Sequence, residues 1–191
     1  MSRTVLERVL IAALIIFAVL ALLPALIHAQ ATPTLGPPTM RHLKLSGPRF
    51  GMTTFTGAVA EARRSAGSAP VMSQFGWQFE TQIAASQTGG QALLEWVFLV
   101  GGWEDGSVTG SLTWLAGYRL PSGFEVGAGP SLSVHEGQTI RDPIAATTSM
   151  VVAAGATAPV GQVRVPANIA VAFARGGPRI TLLLGWIIHG L

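Results

Sequence analysis

From Phe124 to His135 the chain alternates without interruption. Phe124, Val126, Ala128, Pro130, Leu132 and Val134 are apolar, while Glu125, Gly127, Gly129, Ser131, Ser133 and His135 are polar or minimal. Successive side chains of a strand leave opposite faces, so this stretch reads as one long strand with an apolar face and a polar face. Its neighbour at 108–120 (V-T-G-S-L-T-W-L-A-G-Y-R-L) reads in the same way. Strands of this length exceed the roughly five or six residues usual in soluble domains. They match the roughly 9–11 tilted residues that cross a bilayer as a strand. A chain of such strands is constrained to bury one face and to cover the other with something apolar.

The start of the chain reads as an export signal. Arg3 and Arg8 are followed by an apolar run from Val9 to Leu23, a break at Pro24 and the small-residue site Ala29-Gln30-Ala31. This predicts a signal peptide over 1–31, cleaved after Ala31 or, as second choice, after Ala29. An uncleaved anchor is the alternative, because the run is long for a signal peptide. Residues 32–46 hold three prolines and read as an extended periplasmic leader, which leaves 47–191 for one barrel domain. Without Arg3, Arg8 and Glu7, ten basic and eight acidic residues remain, and Lys44 is the sole lysine. No basic cluster extends beyond Arg63-Arg64, so nucleic-acid binding has no support. The chain has no cysteine, so hydrogen bonding and packing alone must hold it.

The alternation predicts eight strands, at 48–57, 73–86, 91–103, 107–120, 123–136, 144–158, 162–175 and 178–189. Short turns at 87–90, 121–123 and 159–161 carry Gly and, in two cases, Pro. They alternate with the connections 58–72, 104–106, 137–143 and 176–177, of which the first and third are long and charged. The fold class expected is all-β: an eight-stranded antiparallel up-and-down β-barrel, transmembrane, following a cleaved signal peptide. Within the first long connection, residues 58–70 could form a short helix in a solvated loop.

Parity assigns the faces. Large apolar residues fall outward, with Phe75 and Phe173 near one rim and Tyr118, Phe124 and Trp186 near the other, the pattern of membrane-interface aromatics. Trp103 is off parity, and a bulge at Gly101-Gly102 would account for it. Glu80, Glu95 and Glu125 fall inward together with Arg49, Arg119, Arg164 and Arg179. Buried charges must be paired, so these seven are expected to form a luminal ion-pair network that plugs the barrel. The favoured reading of that network is structural filling, because small barrels are packed solid. A substrate or proton path is the alternative.

Five short stretches also carry a resemblance: G-P-R-F-G-M-T (47–53), S-Q-F-G-W-Q-F-E (73–80), G-A-G-P-S (127–131), V-P-A-N-I-A-V (165–171) and G-P-R-I-T-L-L-L-G-W (177–186). They resemble the small eight-stranded outer-membrane β-barrels, OmpA- and OmpX-like in the broad sense, and exported barrel proteins of uncharacterised role. The resemblance spans about residues 46–189 and implies a fold and a location, the bacterial outer membrane, but no reaction. Its implied partners are outer-membrane lipid and the barrel insertion machinery. That machinery often reads a terminal aromatic residue, whereas this chain ends His189-Gly190-Leu191.

No metal-ligand spacing is present, since His42, His135 and His189 are far apart, and no cofactor is expected. Ser131, Ser133, His135 and Asp142 make the one arrangement resembling a nucleophile site. Ser133 and His135 on one strand face would lie about 7 Å apart, too far for a direct hydrogen bond. Three expectations follow. The first is a non-catalytic outer-membrane barrel of structural or adhesive role, with the loops 58–72 and 137–143 presented outside. The second is a soluble periplasmic barrel that binds a small apolar ligand, as lipocalins do, with the faces inverted. The third is a barrel enzyme acting on lipid.

Overall fold

The computed structural model describes residues 46–86, 89–106, 108–136, 144–161 and 163–188. The expected signal peptide, the leader up to residue 45, the loop 137–143 with Asp142, and His42 and His189 lie outside the described residues. Eight long strands follow in order: β1 (Gly47–Phe55), β2 (Val71–Ala85), β3 (Gln91–Gly101), β4 (Thr109–Arg119), β5 (Phe124–Glu136), β6 (Ile144–Val160), β7 (Val163–Phe173) and β8 (Arg179–Gly185). Each pairs antiparallel with its neighbour in sequence, and β8 pairs with β1, which closes the sheet. The result is an up-and-down β-barrel of eight strands with no open edge. A two-residue continuation, β9 (Ile187–Ile188), pairs with the start of β7.

The predicted strands and the observed ones differ by no more than about four residues at any end, the usual uncertainty of a strand boundary read from sequence. At one end of the barrel the strands turn back tightly. In the turn after β4, Gly123 holds a φ of 85°, donates its N–H to the Leu120 carbonyl and lets Leu120 pair back to Phe124. A left-handed φ of this kind is open to glycine without a Cβ penalty. The opposite end carries the loops. There Trp103 corrects an expectation. It is off parity because β3 ends at Gly101, not because of a bulge. Gly102 takes a left-handed φ of 91°, and Trp103 opens a 3₁₀ turn over Trp103–Asp105. The register shift that does occur lies in β2, between Gln82 and Ala84, where Ile83 is the additional residue.

The first connection contains α1 (Gly57–Ser65), close to the expected helix. Arg63 and Arg64 in its last turn suit the negative end of the helix dipole. The helix is not wholly solvated, because Ala60 is buried against Phe55 and Met72 at the loop end of the lumen. Arg63 fixes this arrangement. Its Nε donates to the Ala69 carbonyl at 2.8 Å, and its guanidinium lies 4.8 Å from the centre of the Phe55 ring.

The 3₁₀ turn is tied to β2 by Glu104, whose carboxylate accepts from the Ser73 hydroxyl and, at 2.6 Å, from the Ser73 N–H. The Ser73 hydroxyl is the main cause holding the Glu104 carboxyl below its ordinary value of 4.5. A depressed carboxyl contributes stability above its unfolded pKa and loses it as pH falls through the folded one. The Ser73 amide is therefore expected to be protected from hydrogen exchange at neutral pH. Protection should fade in acid below the ordinary carboxylate range. Glu104→Gln should remove that pH dependence, and an unchanged acid profile in the variant would show that Glu104 is not the anchor.

Candidate functional site

The outward face is made as parity predicts. Phe75, Trp77, Phe79, Trp96, Phe98, Trp114, Leu132, Met150, Val152, Phe173, Leu182 and Leu184 are all exposed. Several touch across strands. Trp96 and Trp114 are register partners with ring centres 6.1 Å apart, and Phe79 meets Phe98 edge-on at 5.9 Å. Of the five rim aromatics, Phe75 and Phe173 are exposed toward the loop end, and Tyr118 and Trp186 toward the turn end. Phe124, also at the turn end, is half-buried.

Inside, the buried charged residues gather near the turn end. Arg119 is the centre. Its Nη1 and Nη2 donate to the two carboxylate oxygens of Glu80 at 2.8 and 2.5 Å, a bidentate pair. Its Nε and Nη2 also donate to Glu125 Oε2 at 2.9 and 2.6 Å. Glu125 Oε1 accepts from Asn168 Nδ2 at 2.6 Å. Arg119, Glu80 and Glu125 are each about 5% exposed, and Arg49 is fully buried. Arg49 donates from Nε to Gln78 Oε1 at 2.9 Å, and its charge acts on all three buried glutamates. Short, charge-assisted bonds of this kind are the strong ones, the more so between buried groups.

Glycines make the room. Arg49 faces Gly76 on β2 and Gly185 on β8. Gly155 on β6 faces both Glu125 and Asn168, and a Cβ there would collide with the Asn168 amide. Large side chains on some strands are thus matched by absent side chains on their partners, which is how this part of a narrow barrel is filled.

Glu95 stands directly opposite Glu80 in the β2–β3 register and is buried. Ligand atoms of Glu80, Glu95 and Glu125 all lie within 4.8 Å of one another. Three carboxylates at such a spacing are an oxygen donor set in number. Here the Arg119 guanidinium already bonds two of them, so the cation of the cluster is the protein's own. The sequence could not bring these acids together by spacing, because they come from β2, β3 and β5.

The structure does not join all seven charges expected in the lumen. Arg179 is the first residue of β8, at the loop end, where its guanidinium lies 6.0 Å from the centre of the Phe55 ring. Arg164 is half-buried near the turn end, opposite Pro159 and Ile187. Parity shows which way a side chain points but not how far along the barrel it sits, and that is why Arg179 was grouped with residues it does not meet.

The hydroxyl residues also separate. The Ser131 and Thr113 hydroxyls are hydrogen-bonded to each other at 2.8 Å. His135 was placed inward by parity, yet it is exposed, at the loop-side rim opposite Thr109. Between the charged cluster and the loop end lies a cavity of about 90 Å³, bordered by hydroxyl-bearing side chains and by the apolar cluster Val97, Leu99 and Leu183.

The chain matches no protein-family model and no curated protein sequence. Fold and site define a closed eight-stranded antiparallel barrel with a buried charged cluster toward the turn end of its lumen and a cavity toward the loops.

Proposed function

We propose that this chain is a bacterial outer-membrane β-barrel protein of structural or adhesive role. It would act without catalysis, and its lumen would be closed by the Glu80, Glu125, Arg119 and Arg49 cluster. One observation carries the reading. Large apolar and aromatic side chains stand exposed around the outer face, while Arg49, Glu80, Glu95, Arg119 and Glu125 are buried inside. In water, an apolar surface this continuous would be a severe aggregation liability. In a bilayer it is the surface a strand barrel requires, and closure satisfies every strand edge.

The dimensions agree. An eleven-residue strand such as β3, β4 or β7 extends about 36 Å. Tilted by about 40°, it would cover about 28 Å, close to the roughly 25 Å apolar band of outer-membrane barrels. In this reading the signal peptide exports the chain, the insertion machinery and outer-membrane lipid are its partners, and the loop end faces outward.

The luminal apolar cluster beside the cavity is the observation that favours a second reading, a soluble lipocalin-like barrel for a small apolar ligand. The outward aromatics weigh against it, because such a barrel keeps its bulky apolar groups inside.

Isolated outer membranes decide between the two. The protein should sediment with them and should migrate faster on a detergent gel before boiling than after, as a closed barrel does. A periplasmic protein whose mobility does not change on boiling would overturn the membrane reading and favour the soluble barrel.

A further inference from the structure

We infer that the cavity in the loop-side half of the lumen is a binding site for a small neutral polyol of two or three carbons. The inference rests on the cavity and its chemistry alone and holds whether the barrel sits in lipid or in water.

The size sets the first limit. The cavity measures about 90 Å³. A buried water needs roughly 10–15 Å³ on this scale, and an apolar cavity of about 150 Å³ accepts benzene. The occupant is therefore larger than one or two waters and smaller than an aromatic ring.

The walls set the second limit. Hydroxyls line the cavity, among them Thr53, Ser111, Ser133 and Ser149, and apolar side chains alternate with them, among them Val97, Leu99 and Leu183, which are packed together as a cluster. Val97 and Leu99 stand opposite Thr113 and Ser111 in the β3–β4 register, so the polar and apolar parts of the wall lie side by side. Water against the apolar parts would find no hydrogen-bond partner, and a hydrocarbon against the hydroxyls would leave them unsatisfied. A polyol carries C–H groups along its backbone and hydroxyls along its edge, and so suits a wall of both kinds.

The floor sets the third limit. Gln78, Glu95 and Asn168 border the cavity where it meets the charged cluster. Gln78 is 3% exposed, and its Nε2 donor is buried without a hydrogen-bond partner, although its Oε1 is held by Arg49. The Asn168 Oδ1 acceptor is likewise buried and without a partner, although its Nδ2 is held by Glu125. Each such group carries the full cost of lost hydration if it stays unsatisfied, so a pair of them beside a cavity points to something that supplies both an acceptor and a donor. A hydroxyl does both.

The unpartnered groups, one donor and one acceptor, match a neutral hydroxyl rather than an anion, which only accepts, or a cation, which only donates. Thr109 and Arg179 are the first residues of their strands and border the cavity, so the site extends toward the loop end of the barrel, where Met72 also borders it.

The test uses the whole chain, labelled with ¹⁵N, folded in detergent micelles and titrated with glycerol and with ethylene glycol. The side-chain amide signals of Gln78 and Asn168 should shift saturably, with half-effect in the millimolar range. Ser149→Leu, which fills the cavity from the β6 side, should abolish the shift while leaving the backbone spectrum of the barrel in place. Should that variant fail to fold, ¹³C-glycerol on the unmodified chain gives an independent reading, since its protons should show magnetisation transfer to the methyls of Val97 and Leu183. Shifts that rise linearly without saturating, or the absence of transfer to those methyls, would overturn the proposal and leave the cavity to water alone.

Discussion

Arg119→Met is expected to destabilise the barrel by about 3–5 kcal/mol, the cost of removing one partner from a buried ion pair. The guanidinium makes four charge-assisted contacts, two with each of Glu80 and Glu125. Methionine preserves the apolar stem and much of the volume but supplies no donor, so two carboxylates from β2 and β5 would be left buried with Glu95 beside them. Arg119→Lys should fall between the wild type and methionine, because one ammonium cannot reproduce a bidentate pair.

The decisive comparison is the triple variant Arg119→Met, Glu80→Gln, Glu125→Gln. It removes the stranded charges and should recover most of the loss, since a buried ion pair replaced as a unit is often nearly neutral. Denaturant midpoints of the folded chain, followed by gel mobility and tryptophan fluorescence, provide the readout. A single variant with an unchanged midpoint would show that the cluster does not hold the strands together. A triple variant as weak as the single one would show that shape, rather than charge, is what Arg119 contributes.

The fold was legible because one rule repeats through the chain. Alternation from Phe124 to His135 fixes the two faces of β5, and antiparallel register then carries the same faces to β4 and β6, as at Ser131 opposite both Thr113 and Ser149. Short turns with Gly or Pro mark where the chain reverses. The interior was legible in direction only. Glu80, Glu95, Glu125, Arg49 and Arg119 could be seen to point inward, but their meeting depends on strand tilt and stagger, which no local pattern records. Arg119 and Arg179 share a parity and end up at opposite ends of the lumen. Trp103 was misread for a related reason, because period two applies only while the strand lasts, and Gly102 ends it. The cavity was not legible at all, since it is the space left among residues from different strands once Gln78, Asn168 and Leu183 have taken their places.

Val152→Arg separates the lipid-facing barrel from a water-facing one by an effect as large in relative terms. Val152 lies at the middle of β6, is more than half exposed and stands opposite Ala128 and Val171. The substitution therefore removes little packing and changes mainly what the outer face presents to its surroundings. At the midplane of a bilayer an outward arginine costs about 2–4 kcal/mol, whereas an exposed surface substitution in water usually stays within about 0.5 kcal/mol. Folding measured in phospholipid vesicles should therefore show a large loss for Val152→Arg. A matched change at the loop-side rim, Thr54→Arg, should show much less, because an arginine near the interface reaches water with its head group. The difference between the two positions is the informative quantity, because a general intolerance of charge would lower both equally. A barrel that accepts arginine at 152 as readily as at 54 has no bilayer around its waist, and the exposed ring of Trp77, Trp96, Trp114 and Phe98 would then need a protein partner to cover it.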